Sequence, residues 1–200
     1  MPSDDVAGGR EPSLLAEFAP CRDFALTEHL VVAASPGETY AVVAQLRGAD
    51  LRSPVLRVLT WARGLPVRLR PDETAPAFEE ILLGARWVLL GERPCQEIVL
   101  GAAGRFWTPR MRWDVVVPHE FARYDRPRSG TIALALSILP FDREQTLLTL
   151  DTRVTVHDPV ARRWAELYWQ AIKPTARLVA RQVLHAVNDE ATGRHRSARN

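Results

Sequence analysis

Residues 131–187 decide the fold, and they read TIALALSILPFDREQTLLTLDTRVTVHDPVARRWAELYWQAIKPTARLVARQVLHAV. Over 131–139 and 146–156, bulky apolar residues alternate with small or polar ones, the period of a β-strand with one covered face. The bulky positions are Ile132, Leu134, Leu136 and Ile138 in the first run and Leu148, Leu150, Val154 and Val156 in the second. The pattern predicts two strands of an antiparallel sheet that is covered on one side only.

The segment after these strands predicts one long helix that covers the sheet. Asp158 is a suitable N-cap residue, and Pro159 follows at the first helical position. A helical face then continues for about 30 residues, roughly 45 Å, and Pro174 near its middle predicts a kink. Its positions are Val160, Trp164, Leu167, Tyr168, Ala171, Ile172, Thr175, Leu178, Val179, Val183 and Val187.

Upstream, the chain predicts further strands and two short helices. Ser35 to Glu38 forms a capping box after a strand at about 24–34, and its helix runs to about Leu46. Ser53 and Gly64 mark the ends of a second short helix, followed by an acidic, proline-rich loop over 66–80. Four more strand-like runs lie at about 81–90, 95–101, 111–117 and 119–125.

This order of elements predicts an α+β fold in one domain over 23–190. A curved antiparallel sheet of about seven strands wraps around the long C-terminal helix, with two short helices after the first strand. Residues 1–22 and 191–200 are predicted to be flexible tails. Because a curved sheet and a single helix touch mainly at their ends, an apolar cavity is expected between them.

The order and several motifs resemble the helix-grip fold of the START-like superfamily, also called SRPBCC, and within it a bacterial branch. The superfamily includes polyketide cyclases and lipid-transfer domains, so the resemblance implies a fold that hosts many functions. Coverage is about residues 23–190. The matching stretches are 32–40, 89–92, 97–101 with 104–107, 120–127, 151–154, and 168–169.

Composition excludes several classes of protein. The 200 residues are 46% hydrophobic and 25% charged, which is typical of a globular domain and not of a disordered chain. The net charge of +2 does not predict nucleic-acid binding. Cys21 and Cys95 form no metal-ligand or CxxC pattern and are predicted to be free thiols. With no signal peptide or membrane-spanning run, a cytoplasmic protein without stable membrane insertion is expected.

Catalytic signatures such as GxSxG, HExxH or a P-loop do not occur in the sequence, and no metal or cofactor is predicted. If the protein is an enzyme, the candidates are His119, Arg153 and Tyr168. His119 follows Pro118 and would serve as a general acid or base; its alternative is a surface histidine. Arg153 would bind a substrate carboxylate, or pair with Asp151 on an exposed face. Tyr168 lies on the apolar face of the long helix, where its hydroxyl needs a partner.

Glu28 and His29 point to opposite faces of the first strand, so one of them must face inward. An inward Glu28 requires a partner, and an arginine is the obvious candidate. The expected cavity is lined by large apolar residues from the helices and strands, although the same residues suit plain core packing. They are Trp61, Trp87, Ile98, Phe121, Leu134, Leu136, Leu150, Trp164, Tyr168 and Ile172.

Three functions remain open on the sequence alone. The first is binding of a hydrophobic small molecule, such as a lipid, polyketide or isoprenoid, by a carrier or sensor. The second is a cyclase/dehydratase-like enzyme, which requires at least two of the polar candidates to converge in the cavity. The third is a protein-interaction module, which requires a filled core and an exposed apolar patch.

Overall fold

The computed structural model describes residues 12–47, 85–108 and 110–198. Within them, six strands form one curved antiparallel sheet in the order β1-β6-β5-β3-β2, with β4 paired to β3. The strands are β1 (Phe24–Val32), β2 (Val88–Arg93), β3 (Glu97–Arg105), β4 (Arg112–Asp114), β5 (Gly130–Asp142) and β6 (Gln145–Val156). The helices are α1 (Leu14–Phe18), α2 (Pro36–Val43) and α3 (Pro159–Ala198), with 3₁₀ helices at Ala44–Arg47 and Pro118–Arg123. The predicted helix-grip class is confirmed.

The central hairpin of the sheet follows the alternation in the sequence. In the β5–β6 register Leu136 lies opposite Leu150, and Ile138 lies opposite Leu148. All four side chains are buried, and they pack in one core with α2 and the second half of α3. The bulky face of both strands is therefore the face toward α3, as predicted.

The capping box at α2 is confirmed. The Ser35 hydroxyl accepts a hydrogen bond from the Glu38 backbone N–H, and the Glu38 carboxylate accepts one from the Ser35 backbone. The α-helix ends at Val43 and continues as the 3₁₀ turn to Arg47. The predicted second short helix, the loop over 66–80, and the start of the strand at 81–90 lie outside the described residues.

The prediction that the sheet is covered on one side only is wrong for its centre. On the face away from α3, Leu15 of α1 and Phe121 form a second apolar cluster with Val99, Ala133 and Ala135. Alanines at these positions let α1 and the 3₁₀ helix Pro118–Arg123 approach the sheet closely, so the small residues mark a second interface.

The predicted tails are also shorter than expected. α1 lies inside the predicted 1–22 tail, where Leu15 and Ala19 are buried. At the other end α3 continues through the predicted 191–200 tail to Ala198, with Ala191 buried and His195 paired with Glu38 at 3.0 Å. These described parts of the predicted tails fold because each carries an apolar anchor and a polar contact to a distant element.

The predicted strand over 119–125 is a 3₁₀ helix over Pro118–Arg123, which leaves six strands in the part of the chain that the structure describes instead of about seven. Pro118 stands at its first position, where proline's fixed φ suits a helical turn. Phe121 is buried, and the Tyr124 hydroxyl donates to the Asp114 carboxylate at 2.5 Å. Burial, and then this hydrogen bond, raise the pKa of Tyr124 to about 12.

The long helix forms as predicted, and the predicted positions Ile172, Val179, Val183 and Val187 are buried, but its first turns bury a different face. The Asp158 carboxylate accepts from the Val160 backbone N–H at 2.8 Å, which confirms the cap, and Pro174 lies inside the helix. The buried positions are Ala161, Ala165, Ile172, Ala176, Val179, Ala180, Val183, Leu184, Val187 and Ala191. Several of these are alanines, which bring the helix axis close to the sheet. Larger residues of the predicted face, Trp164 among them, are exposed instead.

Candidate functional site

An apolar cavity lies between α3 and the sheet, with a volume of about 70 Å³. Its floor consists of cross-strand rows of the sheet. Phe24, Val154 and Ile132 form one row, and Leu26, Thr152 and Leu134 form the next. The rest of the wall among the described residues comprises Trp87, Phe106, Leu150, Ala165, Tyr168, Trp169, Ile172, Ala176, Val179, Ala180 and Val183.

Aromatic side chains dominate the cavity wall next to the first turns of α3. Phe24 and Trp169 stack with ring centroids 5.7 Å apart and an interplanar angle of 23°. Phe106 stacks on Trp113 at 5.9 Å, outside the wall. These pairs fix the wall residues in place, since stacked rings gain energy beyond their buried area.

Polar groups on the wall are few. Apart from the indole nitrogens, the described wall has two polar side chains, Thr152 on β6 and Tyr168 on α3. Thr152 comes from the sheet and Tyr168 from the helix, and the Tyr168 hydroxyl is itself buried. The surface of the cavity is therefore almost entirely apolar, which suits an apolar molecule.

An ion-pair cluster holds α3 against the edge strand β1. The Glu28 carboxylate contacts Arg177 Nε at 2.6 Å and Arg181 Nε at 2.8 Å. Glu28 therefore faces the helix and has the arginine partners that the sequence predicts. The hydrogen bond from Arg181, helped by the charges of both arginines, holds the pKa of Glu28 below its usual value of 4.5.

We expect the free energy of unfolding of the Glu28→Gln variant to fall less steeply with decreasing pH than that of the wild type. A carboxyl whose pKa is lower in the folded state stabilises the protein above its unfolded pKa, and this contribution is lost as the pH falls from about 5 toward 3. Urea unfolding at pH 7 and at acid pH measures the difference. The exposed Glu166→Gln on the same helix is the control, and an acid limb as steep in Glu28→Gln as in the wild type would contradict the assignment.

The structure places five of the ten predicted cavity residues on the wall, namely Trp87, Leu134, Leu150, Tyr168 and Ile172. Ile98 and Leu136 are buried in the adjoining core but are not part of the wall. Phe121 packs on the opposite face of the sheet, and Trp164 is 65% exposed on the outer side of α3. Trp61 lies outside the described residues.

The three catalytic candidates do not converge. Only Tyr168 lies on the cavity wall. The His119 side chain is 80% exposed on the 3₁₀ helix, 3.8 Å from Glu120. Arg153 lies on the face of the sheet away from α3, where its guanidinium donates to the Ala19 carbonyl at 2.8 Å. Arg153 therefore anchors the end of α1, while Asp151 instead accepts from the Thr27 hydroxyl at 3.1 Å.

Sequence reasoning missed several wall residues. Phe24, Leu26 and Thr152 depend on the β1–β6 register, which pairs Phe24 with Val154 and Leu26 with Thr152 across a long separation. Trp169 follows Tyr168 directly, and it reaches the cavity wall because this side of α3 packs against the sheet. The spacing of the small residues Ala161, Ala165, Ala176 and Ala180 was the signal for that register.

No protein-family model matches the chain, and no curated protein matches it. Among solved structures, similarity is found to the Zhui aromatase/cyclase from Streptomyces sp. R1128, at 15% identity and a TM-score of 0.37, covering 88% of this chain and 97% of that one. A conserved protein from Geobacillus kaustophilus has 9% identity and a TM-score of 0.46, with 85% and 96% covered. A norcoclaurine synthase from Thalictrum flavum has 11% identity and a TM-score of 0.34, with 86% and 96% covered.

Proposed function

We propose that this chain, which has the helix-grip fold of the START-like superfamily, binds a hydrophobic small molecule in the cavity between α3 and the sheet. The observation that supports this is the composition of the cavity wall, which is apolar apart from Thr152, Tyr168 and the indole nitrogens. Water gains few hydrogen bonds in such a space, so an apolar occupant is favoured over solvent.

The dimensions narrow the class of ligand. Because a water molecule needs roughly 10–15 Å³ of such volume, a cavity of about 70 Å³ has room for about five water-sized positions in a row or cluster. That suits a slender molecule, such as an acyl or isoprenoid chain, better than a fused-ring polyketide.

The cyclase alternative gains no support from the three candidate residues. Acid–base chemistry requires its groups within hydrogen-bond reach of the same substrate atoms. His119 and Arg153 lie outside the cavity, so Tyr168 would act without them. Carrier or sensor binding needs no such convergence, and it is therefore the function we propose.

The direct experiment is native mass spectrometry of the purified protein, with organic extraction and identification of anything released. A stoichiometric hydrophobic molecule is the expected result, and its structure would define the ligand class. The proposal is wrong if the protein carries no bound molecule and its tryptophan fluorescence does not respond to fatty acids, isoprenoids or aromatic polyketides.

Filling the cavity tests the location of the ligand. Ala176 is buried on the cavity wall, so Ala176→Leu places three more carbon atoms in the space. We expect affinity for 1-hexanol, an uncharged slender probe, measured by calorimetry, to fall at least about tenfold, a change of about 1.4 kcal/mol. Ala171→Leu is the matched control, because Ala171 is exposed on the same helix. Equal affinities in the two variants would place the ligand elsewhere.

A further inference from the structure

The outer side of α3 carries a second apolar stripe, separate from the buried one. The outer stripe consists of Val160, Trp164, Leu167, Ala171 and Leu178. Val160 is 70% exposed, Trp164 65% and Leu167 61%. Large apolar side chains exposed to this extent on consecutive turns are unusual, since single exposed residues are the norm on a soluble surface.

Helix geometry shows that the outer stripe does not belong to the core. At 3.6 residues per turn, its members fall within about 60° of one another, and their mean direction lies about 150° from that of the buried stripe. Repacking α3 on the sheet therefore cannot bury both stripes. Among the described residues the outer stripe has no covering element, as its exposure shows.

The charges beside the outer stripe are mostly positive. On the same helix geometry Arg163, Arg177 and Arg181 flank the outer stripe on one side, and the exposed acid Glu166 lies beyond them, whereas the exposed Arg162 and Lys173 point to the opposite side of the helix. Asp23 contacts Arg162, and Glu28 contacts Arg177 and Arg181, so these arginines are partly neutralised. The surface around the outer stripe nevertheless keeps a positive excess, whereas the whole chain has a net charge of only +2.

We propose that the outer stripe docks on an anionic lipid bilayer, with α3 lying along the membrane surface. An exposed tryptophan and leucine flanked by arginines is a combination that partitions into the headgroup region of anionic membranes. Among the described residues no helix is long and apolar enough to cross a bilayer, so this contact is peripheral.

A second copy of the chain fits this surface less well. Antiparallel pairing of two outer stripes, the arrangement that sets Leu167 near Ala171, would bring Arg163 of one copy beside Arg177 of the other. Like charges in direct apposition disfavour that dimer. An anionic surface, by contrast, is attracted by every unpaired cation along the helix.

Docking would bring the ligand cavity close to the membrane. Ala165 and Tyr168 on the cavity wall each follow a residue of the outer stripe directly in sequence. The docking itself does not depend on a ligand, so it can be tested separately from the proposed function.

The test is sedimentation of the protein with vesicles of phosphatidylcholine containing one third phosphatidylglycerol, beside vesicles of phosphatidylcholine alone. We expect binding to the anionic vesicles that weakens as salt rises. The double variant Trp164→Gln/Leu167→Gln should bind roughly tenfold or more weakly, since it removes two large apolar side chains from the contact. Glutamine keeps the helix propensity, so the variant should fold.

Phe141→Gln is the matched control, because Phe141 is 62% exposed on β5, away from α3. Its vesicle binding should equal that of the wild type. The proposal is wrong if the wild type does not bind anionic vesicles, or if the double variant and the control bind these vesicles equally. It is also wrong if ultracentrifugation shows a dimer that only the double variant loses, because the outer stripe would then join two copies. The affinity of the double variant for 1-hexanol should stay unchanged, which separates this result from the cavity proposal.

Discussion

Replacing Glu97 with alanine is expected to release α1 from the sheet and to lower the free energy of unfolding by about 3 kcal/mol. Glu97 is a buried carboxylate on β3, 5% exposed. It accepts hydrogen bonds from the Ser13 hydroxyl at 2.8 Å, the Leu14 backbone N–H at 2.8 Å and the Leu15 backbone N–H at 3.2 Å. Alanine leaves all three donors without this acceptor.

The loss extends beyond the hydrogen bonds. When α1 leaves, Leu15 and Ala19 no longer cover Val99 and Ala135, and apolar surface of the sheet becomes exposed. Urea unfolding measures the stability change, and hydrogen exchange of the Leu15 amide reports undocking directly. Glu17→Gln is the control, since Glu17 is half exposed and paired only at the surface, with Arg93 at 3.0 Å. A similar small effect in both variants would contradict the role of Glu97.

Gly104→Ala is the second substitution with a large expected effect, a loss of about 3 kcal/mol or more. Gly104 lies on β3 with φ +153°, a backbone conformation that side chains disfavour. An added Cβ would overlap the Arg112 carbonyl oxygen and lie 2.9 Å from the Trp113 Cα, and both are backbone atoms of the paired strand β4. The pairing of β3 with β4 would have to shift.

Gly37→Ala provides the comparison. Gly37 lies in α2, and nothing surrounds its missing Cβ within 4 Å. Alanine there should stabilise the protein by up to about 1 kcal/mol, because it restricts the unfolded chain and favours the helix. Thermal unfolding of the two variants should therefore shift in opposite directions. If Gly104→Ala unfolds at the wild-type temperature, the close approach of β4 is not as tight as described.

Local signals in the sequence predicted most of the elements. The alternation in β5 and β6, the capping box at Ser35 and the cap at Asp158 each depend on a few neighbouring residues, and all three are confirmed. The prediction of a strand over 119–125 is wrong because its few apolar residues, Phe121, Ala122 and Tyr124, are too few to show either a helical or a strand period. The packing of α1 on the sheet could not be predicted from neighbouring residues, because Glu97, which accepts a hydrogen bond from the N-cap residue Ser13, lies 84 residues further along the chain.

The sequence predicted the position of the cavity, between α3 and the sheet, better than it predicted the residues that line it. The helix α3 carries two apolar stripes, and the predicted face combined residues of both. It included large residues such as Trp164, which are exposed, and omitted the buried alanines. The alanines decide the buried face because only small side chains permit close contact between helix and sheet. Residues such as Leu26 and Thr152 depended on strand register, which is fixed by pairing over more than 120 positions.

The double covering of the sheet has a consequence for how the cavity can change size. The part of its floor that β5 forms is held from behind by Leu15, Phe121 and their neighbours, so β5 cannot bow outward without breaking a second packed layer. Among the described residues, in contrast, nothing covers the outer stripe of α3, and arginines at the surface tie the helix to β1. We therefore expect any enlargement of the cavity to come from movement of α3 away from the sheet, while β5 stays in place.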